Sequence, residues 1–167
     1  MVVVRAAKTL SVAGMALLLS LVAFGNVTDY GTNLAFVQHV LTMDTIFPGA
    51  TIRYRAIDSP LLHHAAYAII IATEAVSAAL CWIGAWRLGR ALRDGGRAFD
   101  RAKGTAVAGL TLALWLWLVG FMAIGGEWFG MWMSGQWNGI PSAFRYLMAT
   151  LGILIFLALP DRDPLEP

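Results

Sequence analysis

Five side chains able to hydrogen-bond or titrate, His63, Tyr67, Glu74, Ser77 and Cys81, follow one another at steps of 4, 7, 3 and 4. On a helix those steps hold all five on one stripe. Glu74 is its chemical centre, because a carboxyl group flanked by long apolar runs must be neutral, paired or facing water. Two readings follow. Glu74 is a buried proton acceptor or polar ligand for a quinone, a lipid or a pigment. Alternatively it is a protonated acid hydrogen-bonded to a neighbouring helix, for instance through Thr111. Either way the stripe must face a bundle interior or a partner.

The three histidines, His39, His63 and His64, are the other candidate ligands. Two of them could hold a haem or, with Met43, a copper ion. No ligand pair repeats on two spanning segments, so no metal is expected. A single cysteine, Cys81, excludes a disulfide framework and a paired zinc site. There is no G-x-S-x-G element and no phosphate-binding glycine loop. No catalytic set is therefore expected, and no cofactor. Lipid, quinone or haem at His39, His63, His64 and Glu74 are the alternatives left open. A net charge of +2 without a large basic patch argues against nucleic acid.

The elements that must position these residues are apolar. The chain of 167 residues is 59% hydrophobic and 13% charged, with a mean hydropathy of +0.68. A soluble domain carries about 25% charged residues. Stretches at about 6–25, 61–86, 104–125 and 142–159 each suffice to cross roughly 30 Å of hydrocarbon. The expected fold is all-α, an integral membrane four-helix bundle forming one domain over residues 1–167. Arg5 and Lys8 precede the first span. Arg87, Arg90, Arg93, Arg97, Arg101 and Lys103 separate the second from the third, and Arg162 follows the fourth. Nine of the twelve bases thus fall on one side. The positive-inside rule places both termini and loop 87–103 in the cytoplasm, where that loop would contact anionic lipid. Loops 26–60 and 126–141 then face outward, in a multi-pass protein of a bacterial inner membrane. A basic start, an apolar run and Ala23-Phe24-Gly25 also fit a signal peptide. The small residues recurring through the run favour its retention.

Small residues recur at steps of 3 and 4 along Ala6, Thr9, Ala13, Ala16, Ser20 and Ala23, and again along Ala65, Ala68, Ala72, Ala75 and Ala79. In lipid, close approach over small side chains is what draws helices together. Both seams, with Ala13, Ala16, Ser20, Ala68, Ala72 and Ala75 at their centres, are expected in helix interfaces, one against the other. The third span offers only Gly104 and Ala108, with scattered Gly109, Ala113 and Gly120. Of its tryptophans, Trp115 is the better candidate for protein or cofactor contact.

In loop 26–60, Asn26, Thr28 and Asp29 read as a turn and cap. A short helix follows, interfacial or packed over the bundle mouth, and Pro48 and Gly49 end it. Loop 126–141 brings Trp128, Trp132 and Trp137, as an aromatic belt or a partner surface. The motifs N-x-T-D-Y-x-x-N-x-x-F-V-x-H-V-L-x-M-D-T-x-F-P (Asn26–Pro48), Arg55-Ala56-Ile57, Glu74, Glu127-Trp128-Phe129-x-Met131-Trp132, Trp137-Asn138-Gly139 and Ala143-Phe144-Arg145 resemble an uncharacterised bacterial family of predicted small integral membrane proteins. Met133 departs from that pattern, which has glutamine there. The resemblance covers essentially the whole chain and implies four membrane helices, with no activity, cofactor or catalytic residue attached. It draws attention to Asp29, Asn33, His39, Asp44, Arg55, Glu127, Asn138 and Arg145 as one ion-paired cap, joining the loops or recognising a partner. The functional expectation is a non-catalytic accessory or scaffold subunit of a larger, bioenergetic membrane complex, with lipid and other membrane subunits as partners. A small quinone- or haem-binding redox protein and a stand-alone envelope protein are the alternatives.

Overall fold

Uninterrupted apolar sequence without internal proline lets each long segment close its own backbone hydrogen bonds, which a lipid setting demands. The computed structural model describes residues 2–161, so Arg162 lies outside the described residues. Among the described residues there are six α-helices: α1 (Val2–Thr28), α2 (Tyr30–Thr42), α3 (Pro60–Arg90), α4 (Gly96–Ala102), α5 (Gly104–Trp115) and α6 (Ile140–Ala158). α5 runs on into a π-helical stretch, Leu116–Trp128, which ends with Phe129 N–H donating to Ile124 C=O at 3.0 Å. Prolines at the first turns of α3 and α6 occupy positions where a missing N–H is harmless. Among the described residues four helices are long and apolar enough to cross a membrane: α1, α3, α5 with its π stretch, and α6.

α1 packs on α3, α3 on α5, α5 and its π stretch on α6, and α6 back on α1. Val2 and Asp161 lie at one end of this ring, here the basal end. α2 sits at the other, the loop end, against α1 and α3. Leu10, Leu17, Leu21, Ile69, Val76 and Ile155 point away from the bundle, an apolar exterior suited to lipid.

The seams behave differently from the sequence expectation. On α1, Ala16 and Ala23 are buried and Ala13 and Ser20 half-buried, with Ser20 Oγ accepting from Trp82 Nε1 of α3 at 3.1 Å. On α3, Ala65, Ala68, Ala72, Ala75 and Ala79 are all exposed. The two seams therefore do not meet. The polar stripe and the alanine stripe lie on different faces of α3, and only one can turn inward. The polar stripe does so, since a carboxyl group costs more in lipid than alanine does. The tight contact is instead between α3 and α5. A Cβ on Gly84 would stand 2.6 Å from Ala106 Cα, and one on Gly109 would stand 2.8 Å from Cys81 Sγ. The residues that read as scattered, Gly109 and Ala113, are buried there with Ala106, while Gly104 and Ala108 are exposed.

At the loop end, α1 runs through Asn26 to Thr28, and the chain turns at Asp29, which makes no side-chain cap. α2 ends at Met43, earlier than Pro48, because Met43 takes a left-handed conformation (φ 52°). That conformation costs a non-glycine residue about 1–2 kcal/mol, and complete burial of the Met43 side chain offsets it.

At the basal end the lysines expected to mark topology are buried. Lys8 Nζ donates to Asp161 Oδ2 at 2.5 Å and to Leu159 C=O at 2.6 Å. Lys103 Nζ meets Asp161 Oδ2 at 2.7 Å, Asp100 Oδ1 at 2.6 Å and Leu159 C=O at 2.7 Å. The free carbonyl at the end of α6 suits cations. Burial alone would lower the Lys103 pKa, but the bonds to Asp100 and Asp161 hold it above the ordinary lysine value. Burial alone would raise Asp161, but the bonds from Lys103 and Lys8 hold it below the ordinary carboxylate value.

Candidate functional site

All five members of the α3 stripe, His63, Tyr67, Glu74, Ser77 and Cys81, are buried. Glu74 is 1% exposed and stands midway along α3. Its partner is not Thr111 but Asn26, whose Nδ2 donates to Glu74 Oε2 at 2.7 Å. Asn26 is on the last turn of α1, where backbone carbonyls lack helical partners. Tyr67 answers that need, its hydroxyl donating to Asn26 C=O at 2.8 Å. The triad Tyr67–Asn26–Glu74 thus ties α1 to α3. It lies about 27 Å of helix from Lys8, at 1.5 Å per residue, so Glu74 belongs to the loop-end half of the bundle. Ser77, fully buried one turn on the basal side, has no hydrogen-bond partner.

Beside Glu74 is a cavity of about 320 Å³, at the small end of ligand-site volumes. α1 contributes Val22 and Asn26, α2 contributes Asn33, Phe36 and Val37, and α3 contributes Tyr67, Ile70 and Glu74. The π stretch adds Trp117 and Phe121, and the loop and start of α6 add Asn138, Gly139, Ser142, Ala143 and Tyr146. Aromatic rings make one wall: Trp117 lies 4.7 Å from Tyr146 and 5.1 Å from Phe121, and Phe36 lies 6.4 Å from Phe121. A second, apolar cavity of about 230 Å³ adjoins it and shares Phe36, Val37, Ile70 and Phe121. The inward tryptophan is Trp117, 4% exposed, and not Trp115, 58% exposed. Trp117 continues the buried positions Ala106, Gly109 and Ala113 at helical spacing, which was the signal in the sequence for it. Asn26, Ser142 and Tyr146 carried no such signal, because their roles come from helices distant in the chain.

The histidines do not converge. His63 Nε2 donates to Ile57 C=O at 2.6 Å, His64 Nδ1 meets the Tyr30 hydroxyl at 2.8 Å, and His39 Nδ1 meets Asp44 Oδ2 at 2.7 Å while its ring stacks on Trp137 at 4.4 Å. Among the described residues no group of three or more His, Cys, Asp or Glu is placed to hold a metal ion.

The acids and arginines expected to pair in a cap over the bundle do not pair with one another. Among the described residues His39–Asp44 is its one acid–base contact; Asn33, Asn138 and Arg145 make separate local bonds, and Arg55 reaches the other loop through a backbone carbonyl. Asn33 Nδ2 donates to Asp29 C=O at 3.0 Å, Asn138 Oδ1 accepts from Ile140 N–H at 3.1 Å, and Arg145 Nε donates to Pro141 C=O at 3.1 Å. Glu127 is exposed. The two loops are joined by rings and hydroxyls. Arg55 Nη1 donates to Trp128 C=O at 3.1 Å, with its guanidinium 4.6 Å from the Trp128 ring centre. Phe47 meets Trp132 edge-on at 5.8 Å, and Thr45 Oγ1 donates to Ser134 Oγ at 2.9 Å. Solvent screening leaves exposed ion pairs little to offer, whereas ring contacts remove apolar area from water.

No curated protein and no solved structure shows significant similarity to this chain. A family model does match, from residue 4 to residue 160, a range that takes in both loops and Glu74. The chain belongs to that family, described as predicted small integral membrane protein (DUF2165).

Proposed function

We propose that this chain is a non-catalytic accessory subunit of a larger, bioenergetic complex of the bacterial inner membrane, with the basal end cytoplasmic. The observation that carries the subunit reading is the outward stripe of Ala65, Ala68, Ala72, Ala75 and Ala79 on α3. Small side chains on a lipid-facing helix allow a second helix to approach closely, and this chain's own helices leave the stripe uncovered. Exposed Trp128 and Trp132 at the loop end extend the available surface. The orientation rests on the basic residues gathered toward the basal end. Extraction in mild detergent through a tag, followed by mass spectrometry, should recover a stoichiometric membrane partner. Ala72→Leu, at an exposed position, should weaken that recovery without altering the fold. A chain recovered alone would sink the subunit reading.

The cavity favours a second reading, that the protein holds a small molecule of its own, a quinone among the candidates. Organic extraction of purified protein should then yield about one bound molecule per chain, and an empty extract would count against it. The dispersed histidines give no support to a haem version.

A further inference from the structure

We propose that the Glu74 cavity is a binding site for a lipophilic organic cation. The inference takes up the small-molecule reading of the cavity and is independent of the subunit reading. Charge carries the argument first. Glu74 is the sole carboxylate in the wall, no lysine, arginine or histidine lines the cavity, and no basic side chain pairs with Glu74 among the described residues. Its one bonded partner is a neutral amide, Asn26. The protein supplies counter-charge liberally to its other buried carboxyl, at Asp161, so the missing base at Glu74 is a property of the site. An anionic headgroup would meet an acid there and no donor cation.

The aromatic wall is the second observation. Phe36, Trp117, Phe121 and Tyr146 surround the space beside the carboxyl group, and ring faces attract cations, most of all quaternary ones that cannot hydrogen-bond. The third is shape. The adjoining apolar cavity, which shares Phe36, Ile70 and Phe121 with the first, offers room for a hydrocarbon body beside a charge held at Glu74. A neutral quinone ring would use the amides and hydroxyls but leave the acid without a counter-charge, so charge favours the cation.

Equilibrium dialysis on the purified full chain in a non-ionic detergent tests this, with tetraphenylphosphonium as the cation and triphenylphosphine oxide as its neutral aryl counterpart. We expect saturable binding of the cation at one per chain, and binding of the neutral compound at least tenfold weaker on the same unaltered protein. Glu74→Gln should weaken the cation at least tenfold. Absence of saturable cation binding, or equal binding of the two compounds, overturns the proposal without reliance on any variant. Cation binding unchanged in Glu74→Gln overturns it as well. A short-tailed quinone that binds the unaltered chain and Glu74→Gln alike, with no cation binding, would overturn the cation proposal while leaving the small-molecule reading in place.

Discussion

Asp161 and Glu74 are both acids buried in the same bundle, and their surroundings are opposite. Asp161 accepts from two lysines, which also share the Leu159 carbonyl, and its backbone N–H donates to Asp100. Glu74 has one amide partner and an open cavity. A buried ion cluster with every member paired fixes geometry; it joins α1, the α4–α5 corner and the end of α6. A buried acid with one neutral partner and space beside it fixes less, since its single bond from Asn26 ties α1 to α3 at one point. The comparison teaches that burial of a charge does not by itself mark a functional site. The partner set does.

The largest effect should come from breaking the saturated region. Asp161→Ala leaves buried Lys8 without an acidic partner and Lys103 with Asp100 alone, and removing one member of a buried pair costs about 3–5 kcal/mol. Thermal unfolding in detergent should shift down by on the order of 10 °C. The same region sets the pH response. Asp161 is held below its ordinary value, so its contribution is complete above the ordinary carboxylate range and is lost as pH falls through the lowered value. Lys103 is held above its ordinary value, so its contribution is complete below the ordinary lysine range and is lost as pH rises through the raised value. The gap in unfolding temperature between the unaltered chain and Asp161→Ala should be constant around neutrality and should close in strong acid. A gap that opens in acid would contradict the assignment.

Between the two regions, Gly84→Val should be costly for a steric reason, because a Cβ there meets the Ala106 backbone at 2.6 Å. Overpacking of this kind costs about 1–3 kcal/mol, and unchanged unfolding would mean that α3 and α5 do not approach so closely. Asn26→Ala removes the amide from Glu74 but spares the carbonyl that Tyr67 uses, so a loss of about 1–2 kcal/mol is expected. Arg55→Ala, at the exposed loop junction, should cost about 0.5–1 kcal/mol. If its loss matched that of Asp161→Ala, the loop end would be as tightly fixed as the basal end.

The sequence held much of this fold and part of this site. The four long helices follow from apolar runs, and the inward stripe follows from the spacing of Tyr67, Glu74 and Cys81. What it did not hold was the choice between faces. The alanine seam of α3 and the polar stripe both invited an interior position, and only their relative cost in lipid separates them. Trp117 is legible through its register with Ala106 and Ala113, and Trp115, two residues earlier, falls on the opposite, exposed face. The Asp161 cluster had no local pattern, since Lys8, Lys103 and Asp161 come from three distant segments. The same holds for Asn26, which reads as part of a turn in the sequence, whereas α1 continues past it to Thr28.

The central claim is that Glu74 is kept for what it binds, and Asp161 for what it holds together. Glu74→Gln keeps the shape and the acceptor that Asn26 uses, and Asp161→Asn likewise keeps shape while removing charge. Unfolding temperatures of the two variants, measured side by side in one detergent at neutral pH, test the claim most directly. The account predicts that Asp161→Asn falls by several degrees and that Glu74→Gln falls by much less, since Gln keeps the acceptor that Asn26 uses and no ion pair is lost. A Glu74→Gln protein as destabilised as Asp161→Asn would contradict it.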